Sequence, residues 1–297
     1  WLSTAPLHIQ LFEMFGFDKP TYIHFSHIGK TEGGSVRKLS KRKDPEAAMS
    51  LYTEQGYHPV AVLEYLLNLA NSGFSDWRRA NPTVSYSEYP FDARKIGKSI
   101  AIFDQKKLED ISRDVIAKLT EQEVYTAVLQ WAEKYNADFA ERLKDDAEYA
   151  LQIFAIERHQ ERPRKDIVRW SEVPELVWYF FDDLFAERAH FVLPDEVSAD
   201  DARQIVQYFI DHYRIEDDKD SWSNACRSIA EQLGYARDVK TYKQSPESFK
   251  GHVGHSMGVL RIALTGEKNT PDLYQGMQVL GVDRVQGRLK AVLAQLV

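Results

Sequence analysis

The hydrophobic positions of this 297-residue chain recur mostly at helical spacing. Pro59 at a first helical position, followed by Val60, Leu63, Leu67 and Ala70 with Gly73 as a stop, predicts one amphipathic helix. Val124, Val128, Trp131, Tyr135, Phe139 and Leu143 predict a longer one. Ile205, Phe209 and Tyr213 predict another, followed by Trp222 to Leu233 and a closing helix through Val285, Leu289, Val292 and Leu296. Strand-like segments are few: Thr21 to Phe25, Ala101 to Phe103 and Phe191 to Leu193. The chain is therefore expected to be mainly α. These stripes read as core, and so does the cluster Trp178-Tyr179-Phe180-Phe181, which suits packing better than base stacking.

Composition adds limits. A hydrophobic content of 43% with 12% aromatic residues is ample for two or three folded domains. No apolar run approaches the roughly 18 residues of a membrane span, and no signal peptide opens the sequence, so a cytoplasmic setting is expected. Cys226, the single cysteine, falls at helical spacing with Trp222, Ile229 and Leu233 and is expected to be a core thiol. His252 and His255 lack thiolate or acidic neighbours, and the glycines around them suggest a loop, so no metal site is expected.

The net charge of −7 is uneven. Residues 1–45 carry 7 basic and 4 acidic side chains, 46–110 carry 7 and 9, 111–195 carry 11 and 18, and 196–297 carry 13 and 14. Phosphate neutralisation supplies most non-specific nucleic-acid affinity, so an RNA-binding face on this chain has to be a local patch. Arg158, Arg162, Arg164, Lys165 and Arg169 are the candidates, between two predicted helices. Breaks are expected at Lys43-Asp44-Pro45, near Asp110 and at Leu193-Pro194-Asp195.

The most informative run is Lys38-Leu39-Ser40-Lys41-Arg42. It resembles the K-M-S-K-S signature of class I aminoacyl-tRNA synthetases, in the K-L-S-K-R form of the glutamyl enzymes. The resemblance continues through Trp1 to Gly16 and Pro20 to Phe25, then Glu54 to Leu66 and Phe74 to Arg78. It extends to Phe91, Lys95-Ile96, Phe103-Asp104 and Lys107-Leu108, and ends with Leu260 to Gly266, Pro271, Leu280-Gly281, Arg284-Val285 and Arg288-Leu289. Glutaminyl enzymes share the lysine loop but carry β-barrels where the glutamyl enzymes carry helices. The helical second half therefore resembles the bacterial-type glutamyl family.

That resemblance implies a fold and a chemistry. Residues 1–45 would be the end of a class I nucleotide-binding α/β domain, 46–110 a stem-contact region, and 111–195 and 196–297 two subdomains of a helical anticodon-binding cage. Glutamate and ATP would form glutamyl-adenylate, with Mg²⁺ on the ATP, and the glutamyl group would pass to tRNA(Glu). Lys41 would lie closest to the ATP phosphates, supported by Lys38 and Ser40, with Arg42 adding positive field. These would meet charge that builds in the transition state. The enzyme is expected to be a monomer.

His27-Ile28-Gly29 looks like the companion H-I-G-H signature, but its fourth residue is Lys30 and it sits too close to Lys38. The segment carrying that signature and the glutamate pocket are thus expected to lie outside this chain, leaving it inactive alone. An alternative is a stand-alone, non-catalytic helical tRNA-binding module. Ala236 through Val259 departs from the family pattern and is expected to hold a loop insertion. Whether tRNA(Gln) is also charged does not follow from these residues.

Overall fold

The structure is a computed structural model, and it describes residues 2–296. Among the described residues helices dominate, and a small three-stranded sheet accompanies them. The chain divides into two compact units, one through Ile116 and one from Ala117 onward.

In the first unit, helix α1 (Ala5–Met14) is followed by strands β1 (Ile28–Glu32) and β2 (Ser35–Lys38). Helices α2 (Met49–Gln55), α3 (Pro59–Ala70) and α4 (Phe74–Ala80) come next, then strand β3 (Ala101–Ile102) and helix α5 (Gln105–Ile116). The strand order is β2-β1-β3, with β1 antiparallel to β2 and parallel to β3. Gly33 and Gly34 form the hairpin turn with φ of 59° and 81°. Two consecutive positive values are what a two-residue turn between twisted strands requires, and glycine adopts them without steric cost. At the centre of the sheet, a Cβ on Gly29 would sit 2.6 Å from Ile100 Cγ2, so the strands approach over a bare backbone.

The expected helix from Pro59 to Ala70 is present, with Ala61, Val62 and Tyr65 buried. Asn71 ends it, and its Oδ1 accepts from the N–H of Gly73, the residue that opens α4. The strand expected at Thr21 to Phe25 is not there. Its alternating apolar residues have no strand beside them, and Ile23 and Phe25 are exposed. Pairing, which makes a strand, begins instead at Ile28.

In the second unit the helices are α6 (Glu121–Tyr135), α7 (Ala137–Asp145), α8 (Ala147–Ala155), α9 (Val173–Val177) and α10 (Asp182–Arg188). Then come α11 (Ala199–His212), α12 (Lys219–Gln232), α13 (Val239–Gln244), α14 (Val253–Thr265) and α15 (Leu273–Gln295). The long helix expected from Val124 to Leu143 is two helices. Asn136 leaves helical geometry at φ −153°, and its side chain accepts from Phe139 N–H at 3.2 Å, capping α7. Thr120 and Glu123 form a reciprocal capping box at the start of α6.

Phe191 to Leu193 forms no strand. Trp178, Tyr179 and Phe180 are buried, as expected of packing residues. Cys226 is buried, and burial pushes its thiol pKa up to about 12.

The loop expected over 236–259 is largely helical: α13 and a short 3-10 turn fill its middle, and α14 starts at Val253. His252 caps α14, accepting Gly254 N–H on Nδ1 at 3.0 Å. A histidine in the capping role hid this helix start from the sequence pattern. In α15, Gly281 takes φ 77° and ψ 165°, so the helix is broken just before the stripe Val285, Leu289 and Val292. Among the described residues, no helix is long and apolar enough to cross a membrane.

Candidate functional site

The lysine loop follows directly from the hairpin. Lys38 ends β2, and Leu39 N–H donates to Ile28 O at 3.0 Å, so the chain leaves the sheet in register with β1. Residues 40–44 then close a tight turn in which the N–H groups of Lys43 and Asp44 both donate to Ser40 O, at 3.0 and 2.8 Å. Lys38, Lys41, Arg42 and Lys43 are exposed, and none makes an ion pair among the described residues.

Asp44, by contrast, is 2% exposed. Its carboxylate accepts Ser40 N–H at 2.8 Å and takes a two-pronged contact from Arg37, Nη1 to Oδ2 at 2.6 Å and Nη2 to Oδ1 at 2.8 Å. The Arg37 contact, helped by the Ser40 N–H, holds the Asp44 carboxyl far below the usual carboxylate range. Arg37 Nε also donates to Glu32 at 2.5 Å, and Lys30 pairs with Glu46 while standing 3.8 Å from Asp44. The acids around the loop are thus engaged by Arg37 and Lys30, and the loop's own cations are left free.

Ser40, Lys38 and Lys41 line one side of a cleft of about 790 Å³. His27, Met49, Tyr52, Tyr65, Leu66 and Phe103 line much of the rest. Free cations at the rim of a roomy, partly apolar cleft suit a polyphosphate attached to a flatter, less polar group. Ile28 and Gly29 lie in β1 and open no helix, which separates them from the signature they resemble.

The five basic candidates of the second unit do not form one face. Arg158 is 6% exposed and donates to Phe154 O at 2.9 Å and Leu119 O at 3.0 Å, so burial withdraws it from any RNA-facing surface. Arg169 pairs with Glu172 at 2.6 Å. Arg164 has a side chain 7% exposed, gives Nε to Asp166 at 2.8 Å and lines a cleft of about 460 Å³ with Glu157, Tyr179 and Thr270. Arg162 and Lys165 are exposed.

Comparison with known proteins bears on both regions. An anticodon binding domain family matches residues 240–293, most of α13 to α15. The chain is 43% identical over 296 residues to the glutamate–tRNA ligase of Clostridium perfringens strain SM101, an alignment covering 99% of this chain and 54% of that protein. It is 39% identical to the glutamate–tRNA ligase of Acetivibrio thermocellus, over 99% of this chain and 53% of that one. Along nearly its whole length the chain is similar to glutamate–tRNA ligases. It spans about half the length of the curated relatives it matches. The crystal structure of a glutamate tRNA ligase from Elizabethkingia meningosepticum in complex with its amino acid matches all of this chain and 56% of that one, with a TM-score of 0.64 at 20% identity. That likeness is one of fold.

Within this chain the sequence pattern singles out the lysines and misses what holds them. Arg37 and Asp44 stand seven residues apart in sequence, a separation with no meaning until the hairpin and turn bring them together. The available signal was Gly33-Gly34 between polar and apolar alternation, which marks a hairpin immediately before the loop.

Proposed function

We propose that this chain is the tRNA-binding portion of a glutamate–tRNA ligase and that its lysine loop serves ATP in the activation of glutamate. The supporting observation is the free cationic loop at the rim of the 790 Å³ cleft, in a chain whose relatives are glutamate–tRNA ligases. Glutamate carboxylate attacks the α-phosphorus of ATP, pyrophosphate leaves, and negative charge grows on the phosphate oxygens. Lys41 meets that charge, with Lys38 and the Ser40 hydroxyl beside it and Arg42 adding field, and fixed cations lower the barrier because they need no reorganisation. Mg²⁺ would arrive on the ATP, since Asp44 and Glu46, the acids nearest the loop in sequence, are engaged by Arg37 and Lys30. A hydroxyl at the 3′ end of tRNA(Glu) then attacks the glutamyl carbonyl of the adenylate, an ester bond forms and AMP leaves. The helices of 46–110 would contact the tRNA stem, and those of 111–195 and 196–297 its anticodon arm, with Arg162, Lys165 and Arg169 among the contacts, whereas the burial and Asp166 pairing of Arg164 withdraw it as burial withdraws Arg158. The enzyme works as a cytoplasmic monomer in this reading.

The test is Lys41→Ala in the full-length ligase, assayed by glutamate-dependent ATP–pyrophosphate exchange with tRNA present. The barrier should rise by about 2 to 4 kcal/mol, the scale for removing one preorganised transition-state contact, with Tm almost unchanged. Unaltered kcat would instead favour a helical RNA-binding module with an incidental basic loop.

A further inference from the structure

The loop's lysines stay free in a setting that should pair them. Asp44 lies three residues from Lys41 and next to Lys43, and Glu46 follows two residues on. Left alone, these carboxylates are the nearest partners for the loop cations, and a lysine paired with a carboxylate has less field to offer a phosphate. Instead Asp44 is buried under the fork of Arg37, and Glu46 is taken by Lys30. Asp44 has a second task. Its Oδ2 accepts Ser40 N–H at 2.8 Å while Asp44 N–H returns to Ser40 O at 2.8 Å, so the turn carrying Lys41 is closed in both directions. Arg37 is the last residue but one of β2, which ties that turn to the sheet.

We propose that Arg37 and Asp44 are positioning residues for Lys41: the pair fixes the turn that presents the lysine and keeps the neighbouring carboxylate from neutralising it. This rests on the reading that Lys41 meets ATP phosphates. A planar two-pronged guanidinium suits the task better than an ammonium, since it occupies both carboxylate oxygens at once and stays charged at any working pH.

The experiment uses the full-length ligase and the same exchange assay, with R37Q, R37K, D44A, D44N, K41A and the R37Q/K41A double variant. R37Q and D44A should each lower kcat/KM for ATP about tenfold while the KM for glutamate stays within about twofold. D44N should fall between D44A and wild type because an amide oxygen still accepts Ser40 N–H. R37K should also be intermediate, and it covers the case in which R37Q folds poorly. The deciding readout is coupling: R37Q should cost less than about twofold in the K41A background, because the group it acts through is already gone. Full additivity of R37Q and K41A, or equal losses toward ATP and glutamate, would overturn the positioning role while leaving the phosphate role of Lys41 intact. A K41A enzyme with normal exchange would overturn both.

Discussion

The guanidinium carbon of Arg288 lies 3.6 Å from the ring centroid of Phe185, in a side chain only 6% exposed. From there Nη1 donates to Tyr179 O at 2.8 Å and to Leu264 O at 2.6 Å, and Nη2 donates to Asp182 at 3.2 Å. Leu264 is in the last turn of α14, where carbonyls have no partner within the helix, so Arg288 caps one helix end from another. Burial holds its pKa below the usual arginine value.

Arg288→Met should therefore destabilise the protein by about 2 to 4 kcal/mol, since a side chain of similar length fills the space but leaves two buried carbonyls without donors. The Asp182 contact contributes little to this, because its carboxylate is 59% exposed. Urea denaturation followed by circular dichroism measures the loss. A change under about 0.5 kcal/mol would show that water reaches both carbonyls.

Much of this architecture was legible from periodicity because α3, α11, α12 and the second half of α15 each keep one apolar stripe from cap to cap. The break at Asn136 was not. The apolar phase runs on from Val128 and Ala132 into Phe139 and Leu143, so periodicity is blind there, and only the capping chemistry of Asn136 marks the boundary. Thr21 to Phe25 failed for the opposite reason: alternation states what a strand would bury and says nothing of a neighbour to pair with. At the candidate site the lysines were legible as a local run. The burial of Asp44 beneath Arg37 arises from tertiary geometry and leaves no trace in a motif.

His252 gives the second unit a pH dependence. Burial, and then repulsion from His255 with its ring centroid 3.8 Å away, lower the His252 pKa, against a weaker opposing pull from Glu196. Its Nδ1 must also stay unprotonated to accept Gly254 N–H. A depressed folded pKa means that the unfolded chain takes up the proton first. The stabilisation is therefore complete above the ordinary histidine pKa of about 6.5 and is lost as pH falls below it toward the lowered folded value. Tm should drop more between pH 7 and mildly acidic pH for wild type than for His252→Ser, which keeps a capping oxygen and cannot titrate. Parallel curves for the two proteins would refute this.

The chain as it stands should show only background glutamate-dependent ATP–pyrophosphate exchange, even with tRNA present. Its Lys38 and Lys41 offer charge for phosphates, but the 790 Å³ cleft brings no cation of the described residues besides these two to its walls. A bound amino-acid carboxylate needs a fixed cation or donor set of its own. Exchange above background would place a glutamate site within these residues.

Binding of a glutamate tRNA transcript to this chain should be weak and steeply salt-dependent, because a protein of net charge −7 can attract phosphates only through local cations such as the exposed Arg162 and Lys165. Sequence is read where bases are unpaired, so exchanging the anticodon should weaken binding further. In the proposed reading the anticodon-reading helices lie late in the chain, where the anticodon binding domain family matches residues 240–293. Truncation after Pro194 removes α11 to α15 and should abolish the anticodon effect while leaving part of the salt-dependent term. Since α14 and α15 also pack against the 3-10 turn at Trp178–Phe180 and against α8, Arg288→Met, which weakens that packing without deleting the helices, serves as the control for lost folding. Filter binding at two salt concentrations with matched and exchanged anticodons reads all three terms. Equal affinity of the intact chain for every tRNA would overturn the anticodon assignment and favour a general RNA-binding module.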